Sequence, residues 1–260
     1  MGPIFILGSA RSGTSIVTDA VNHSLGNFIT DSSIGYHGEG FFVQILDQLK
    51  TLVDDFYEYN SFQLESNTLL ANIPKSILYN NLSAVIKDLV EKHFLGRRWI
   101  DKTPTPSAIK NAPLIASLWP DAKFIYMKRR GLENLSSRLR KFNGIDFFAH
   151  CEDWVASFTE WSRVKGILGV DSYIEIDQQE IISNPELVAN RLATFLVVDP
   201  SILKNDFINL RPQKTDSSNY KSLVFNNMSW SKEQKECFLN LCDACMRENG
   251  YSYDDSYWVK

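Results

Sequence analysis

Two rhythms of apolar and polar positions divide this chain. Four short apolar runs, Pro3–Leu7, Arg98–Ile100, Lys123–Met127 and Ser172–Ile176, have the length and content of strands. Between them, apolar residues recur at helical spacing over Thr14–Ser24, Glu39–Tyr59, Ile77–Phe94, Ser107–Leu118, Leu132–Phe142, Cys151–Leu168, Pro185–Phe195 and Lys232–Asn249. Strands that alternate with helices predict an α/β fold built on a mainly parallel sheet. The Pro/Ser/Asn-rich stretch Arg211–Asn219 reads as a loop. No repeat or low-complexity tract interrupts the pattern, so residues 1–260 are expected to form one domain.

Composition narrows the possibilities. The net charge of −4 argues against a general nucleic-acid binder, so any anion site must be a local cluster of positive groups. The apolar runs are too short to span a bilayer. Met1 leads directly into Ile4-Phe5-Ile6-Leu7 without a basic region or cleavage site, which predicts a cytoplasmic protein. Cys237, Cys242 and Cys245 lie within one helical segment, and no second Cys or His pair stands at metal-site spacing; they read as buried structural thiols.

The octapeptide Gly8-Ser-Ala-Arg-Ser-Gly-Thr-Ser15 lies between the first strand and the first helix. It has the glycine spacing of a nucleoside-triphosphate loop, but Thr14 stands where that loop carries lysine. Loop amides and a helix N-terminus still form an anion cradle, to which Arg11, Ser12, Thr14 and Ser15 add side-chain donors. The strand Lys123–Met127 ends in Lys128-Arg129-Arg130 rather than in a magnesium-binding aspartate. Arg129 and Ser137, eight residues apart, can hold a second phosphate, the arginine by its planar fork; Arg130 is the alternative cation. Asp101 is the one carboxylate near these elements that could serve a kinase as metal ligand.

Together these elements resemble the sulfotransferase family. Gly8–Ser15 is similar to its 5′-phosphosulfate loop, and Arg129…Ser137 to its 3′-phosphate element. Asp101-Lys-Thr-Pro104, Trp119-Pro-Asp-Ala-Lys-Phe-Ile-Tyr126, Ile174–Val197 and Trp230…Gly250-Tyr251 resemble further family segments, so the likeness runs almost end to end. Gly131, Glu133 and Val197-Val198 depart from the usual family residues. The resemblance implies a nucleotide-binding α/β fold like that of P-loop proteins, and the donor 3′-phosphoadenosine-5′-phosphosulfate (PAPS), used without a metal.

Ala10, Arg11, Ser12, Gly13, Thr14, Ser15, Arg129 and Ser137 would bind the donor. Glu39, in the Gly38-Glu39 pair, would be the base, with His37 as the alternative. Lys102 and Arg11 would stabilise charge as the nucleotide leaves. Tyr220-Lys221 is a candidate to close over the adenine. The aromatic-rich segments Phe41–Tyr79 and Phe142–Trp161 are expected to line the pocket of a small-molecule, glycan or polyketide-like acceptor. A kinase with a degenerate loop, or a silent binder of adenosine 3′,5′-bisphosphate (PAP), are the competing readings.

Overall fold

The computed structural model describes residues 2–26, 41–94, 98–209 and 222–259. Four parallel strands form its sheet: β1 (Ile4–Gly8), β2 (Ile100–Lys102), β3 (Lys123–Lys128) and β4 (Tyr173–Asp177), in the order β2-β1-β3-β4. The helices are α1 (Thr14–Ser24), α2 (Phe41–Tyr59), α3 (Ser61–Leu64), α4 (Lys75–Phe94), α5 (Pro106–Lys110), α6 (Ala112–Leu118), α7 (Gly131–Lys141), α8 (Phe147–Lys165), α9 (Gln178–Ser183), α10 (Pro185–Leu196), α11 (Pro200–Asn209) and α12 (Lys232–Glu248). This is the expected α/β architecture.

Side chains on a strand alternate between faces, and here the alternation sorts residues into two cores. Phe5, Leu7, Phe124 and Tyr126 pack with Phe42, Val43 and Leu46 of α2, Ile109 of α5 and Trp161 of α8. Ile4, Ile6, Ile125 and Met127 face the other way, against Val17 and Val21 of α1 and the apolar sides of α10 and α11. A third cluster joins Leu132 and Leu135 of α7 to Trp154 of α8 and to Phe238, Cys242 and Met246 of α12. Burying each such side chain contributes about 1.5–3 kcal/mol, so three contiguous clusters can hold a sheet of only four strands.

Several boundaries differ from the sequence expectation. The run Ser107–Leu118 is two helices, because Pro113 has no N–H to continue the ladder from α5 into α6. β2 extends through Asp101 and Lys102, whose charges mask a buried strand. Helices α9 and α11 escaped the periodicity; α9 is nonetheless signalled by a capping box between Asp177 and Glu180. The aromatic residues of Phe142–Trp161 go mainly to the interior: Phe147, Trp154, Phe158 and Trp161 are buried in the core clusters rather than lining an open pocket. Arg211–Asn219 lies outside the described residues.

Cys237 apart, the cysteines are as buried as the sequence suggests. Cys151, Cys242 and Cys245 are buried and Cys237 is half-buried, all as free thiols. A hydrogen bond with Cys242, reinforced by burial, pushes the Cys151 thiol up, and burial raises Cys237 to about 11. Such thiols carry little thiolate at neutral pH. Among the described residues, no helix is long and apolar enough to cross a membrane.

The strand order creates the functional end of the molecule. From β1 the chain passes to β2 on one side, then returns to β3 on the other, leaving a crevice between the carboxyl ends of β1 and β3. Gly8 closes β1 there with φ at +141°, and a Cβ on it would stand 2.5 Å from the Met127 carbonyl oxygen. Gly8→Ala is therefore expected to lower the unfolding free energy by about 2 kcal/mol or more, measured by denaturant titration. A stability within about 0.5 kcal/mol of wild type would count against this close approach.

Candidate active site

The loop after β1 is shaped by two left-handed residues. Arg11 adopts φ 70°, and Gly13, the residue capping α1, adopts φ 87°. No side chain caps α1, no acidic residue occupies its first turn, and its first amides have no acceptor among the described residues. The positive end of the helix is thus open to an anion.

What holds the loop in this form is a set of side chains from the β3–α7 unit. Asn134 Nδ2 donates to the Ala10 carbonyl (2.9 Å) and to Ser12 Oγ (3.0 Å). Arg138 Nε donates to the Ala10 carbonyl (3.3 Å) and its Nη2 to Ser9 Oγ (2.8 Å), while Nη2 also pairs with Asp153. Arg129 Nη1 donates to the Arg11 carbonyl (2.8 Å). Loop carbonyls are claimed from within, so negative dipoles do not face the crevice. Ser12 belongs to this bracing: it is fully buried, its amide bonds the Ser9 carbonyl, and its hydroxyl accepts from Asn134.

The four arginines at the end of β3 and along α7 have separate tasks. Arg130 is fully buried; it forms two hydrogen bonds to Glu133 (2.8 and 2.5 Å), donates to the Ser252, Asp254 and Leu223 carbonyls, and lies over the Tyr257 ring. That makes it a clamp on the C-terminal segment rather than a phosphate ligand. Arg129 is also buried, yet it bonds only the Arg11 carbonyl and has no carboxylate in ion-pair range among the described residues. Leaving a buried guanidinium without a counter-charge is costly, and an anionic ligand would offset that cost. Arg140 and Lys141 are exposed.

Ser137, in the second turn of α7, is buried beside the loop, and Arg11 Nε donates to its Oγ at 3.0 Å. The two sequence motifs therefore touch. On the other side of β1, Lys102 is almost wholly buried and its Nζ donates to Ser15 Oγ at 3.4 Å, within the first turn of α1. Thr14 is buried and Ser15 half-buried in that same turn. Glu39, Gly38, His37, Tyr220 and Lys221 lie outside the described residues.

Asp101 neighbours Lys102 but serves the opposite face of the sheet. Its Oδ1 accepts from Thr103 Oγ1 (2.6 Å) and its Oδ2 from the Phe42 amide in the first turn of α2 (3.3 Å). Both oxygens are engaged away from the loop, so its placement does not suit the metal-ligand role a kinase would require. Sequence reasoning missed Asn134 and Arg138, since an arginine within a basic helix reads as solvated; the i, i+4 spacing that puts both on one helix face was the available signal.

Comparison with known proteins gives a consistent result. The model of the sulfotransferase family matches residues 3–200. No curated protein matches significantly. Among solved structures, the sulfotransferase domain of the Synechococcus PCC 7002 olefin synthase aligns over 94% of this chain and 94% of its own, with 19% identity and a TM-score of 0.51. Sulfotransferase STF9 from Mycobacterium avium aligns over 93% of this chain and 76% of its own, with 13% identity and a TM-score of 0.50. These structures are similar in fold.

Burial raises the Asp101 carboxyl from 3.8 to about 6, against the opposing hydrogen bonds from Thr103 and the α2 amides. A carboxylate raised on folding stabilises the native state at acid pH and loses that contribution as pH rises from about 4 through 6. Relative to Asp101→Asn, the wild type should lose up to about 3 kcal/mol between pH 4 and 7. Parallel denaturant titrations at the two pH values check this; identical pH slopes would refute it.

Proposed function

The chain belongs to the sulfotransferase family, and from that premise we propose that it moves the sulfuryl group of PAPS to a hydroxyl of a small-molecule, glycan or polyketide-like acceptor. The observation that carries this reading is the pairing of an open α1 N-terminus with the buried Arg129, which has no carboxylate in ion-pair range among the described residues. These are two anion sites in one crevice, which suits a nucleotide with phosphates at both its 5′ and 3′ positions. A triphosphate chain would instead need a lysine after Gly13 and a free metal-binding carboxylate; Thr14 and the engaged Asp101 provide neither.

Residues 1–260 act as one domain in this reading. The loop Ala10–Ser15, through its amides other than that of Ser12, and the α1 dipole hold the 5′-phosphate, and Arg129 and Ser137 hold the 3′-phosphate. Transfer breaks the bond between sulfur and the bridging oxygen and forms one to the acceptor oxygen, as in loose phosphoryl transfer. Lys102, buried at the end of β2 next to Ser15, and Arg11 stabilise the charge left on the bridging oxygen. Glu39, two residues before α2 begins at Phe41, removes the acceptor proton. No metal is required, since the cations of the crevice neutralise the charge that magnesium would otherwise screen.

Thermal-shift titration should show stabilisation by PAP, amounting to about 2.7 kcal/mol at a hundredfold excess over Kd. ATP with magnesium should give no comparable effect, and stabilisation by ATP-magnesium alone would overturn the reading. In labelled-sulfate transfer from PAPS to a panel of hydroxyl acceptors, Glu39→Gln should lower kcat by about a hundredfold or more with PAP affinity preserved. Unchanged turnover would reject Glu39 as the base and direct attention to His37.

A further inference from the structure

Independently of the donor assignment, we propose that the outer face of α2 and α4 is a dimer interface, where a second copy of this chain packs to complete a four-helix bundle. Both helices have two apolar sides. On α2, Phe42, Leu46, Val53 and Tyr57 are buried against the body of the protein. A second set, Ile45, Leu49, Leu52, Phe56 and Tyr59, recurs at alternating steps of four and three along the same helix. On α4, Ser83 and Val90 are buried, while Leu78, Leu82, Val85 and Leu89 repeat those steps. The second set is open to solvent: Leu52 is 64% exposed, Tyr59 83%, Val85 66% and Leu89 64%. Alternating steps of four and three form the seam along which helices pack nearly side by side on other helices.

The two stripes share one side of the molecule. α4 runs antiparallel to α2, with Lys75 at its start paired to Asp54 (2.5 Å) and Tyr79 Oη donating to the Leu46 carbonyl (3.3 Å). Toward the body, Asp47 of α2 accepts from Asn111, and Glu91 of α4 accepts from Trp119 Nε1 (2.9 Å). A helix turns about 100° per residue, which sets each stripe opposite these contacts and facing outward. Roughly 30 Å of two adjacent helices matches what each partner of a stable dimer buries, about 800 Å². A second copy suits this face because it brings an antiparallel pair of the same length and spacing, related by a two-fold axis. The charged Asp55, Glu58, Asp88 and Lys92 lie at its margins and leave the stripes themselves apolar. Lys50, Lys75, Lys87 and Lys92 are each paired with a carboxylate, so the face has little attraction for an anionic lipid surface.

Sedimentation equilibrium of the full chain reads the association directly. The wild type should be a dimer at about 100 μM, since interfaces of this size bind with micromolar Kd or tighter. Leu52→Glu combined with Leu89→Glu should raise the dimer Kd at least about a hundredfold, because each places a charge in an apolar seam. Both side chains are exposed in the single chain, so far-UV circular dichroism should be unchanged. If that variant folds poorly, Leu52→Ser with Val85→Ser should still weaken the dimer about tenfold or more. Val170→Glu, at an exposed apolar residue before β4 on the sheet edge opposite β2, should leave the dimer intact. A wild-type monomer at that concentration, a dimer indifferent to the stripe substitutions, or a dimer lost equally in Val170→Glu would overturn the proposal. So would a monomeric wild type that binds phosphatidylcholine vesicles, which would assign the face to lipid.

Discussion

A tight loop of five residues must present amides outward while carrying as many carbonyls of opposite dipole. The structure resolves this conflict through the side chains of Arg129, Asn134 and Arg138, which take the carbonyls of Ala10 and Arg11 from the protein side. Everything at the carboxyl end of the sheet depends on that bracing. It holds Arg11 in a left-handed conformation, keeps the first turn of α1 open, and ties β1 to α7 across the switch point. Gly8 contributes from below, since only a residue without Cβ lets β1 and β3 end side by side.

A second polar network secures the outer wall. Asp177, at the end of β4, accepts from the hydroxyls of Tyr251 (2.6 Å) and Tyr257 (2.8 Å), and the Arg130 amide donates to the Tyr257 oxygen (3.0 Å). With the Arg130 guanidinium bonded to Glu133 and to carbonyls of residues 223, 252 and 254, the C-terminal segment is fastened to the start of α7. Burial raises Asp177 to about 6, as it does Asp101. Two carboxyls held against solvent thus flank the crevice, each serving architecture. Their adjacent residues, Gln178 beside Gly13 and Lys102 beside Ser15, are the ones that meet the loop.

The division between Arg129 and Arg130 shows how such a site is assembled. Successive residues leaving a strand point in different directions, so one arginine enters the crevice and the next enters the interior. The interior one is neutralised by Glu133 three positions on, a helical partner available only because α7 begins at Gly131. The crevice one has no carboxylate in ion-pair range among the described residues, and in the proposed reading a ligand supplies its counter-charge. The same logic separates Asp101, which faces α2, from Lys102, which reaches α1.

The strand and helix rhythms, the glycine loop, and the Arg129…Ser137 spacing were legible in the chain by itself. They rest on local rules: apolar periodicity, backbone freedom at glycine, and side-chain chemistry at fixed offsets. The break at Pro113 and the capping box that opens α9 were equally local, though harder to weigh against a continuous apolar pattern. Which charged residues are buried was not legible, because a run such as Arg138-Leu-Arg140-Lys141 has the same composition whether it brackets a loop or faces water. The partners that decide it are about 120 to 130 residues away for Asn134 and Arg138, and 126 for Arg11 with Ser137. Only the parallel pairing of β1 with β3 brings them within hydrogen-bond distance, so the tertiary structure decides which cations brace the loop and which, in the proposed reading, remain for the ligand.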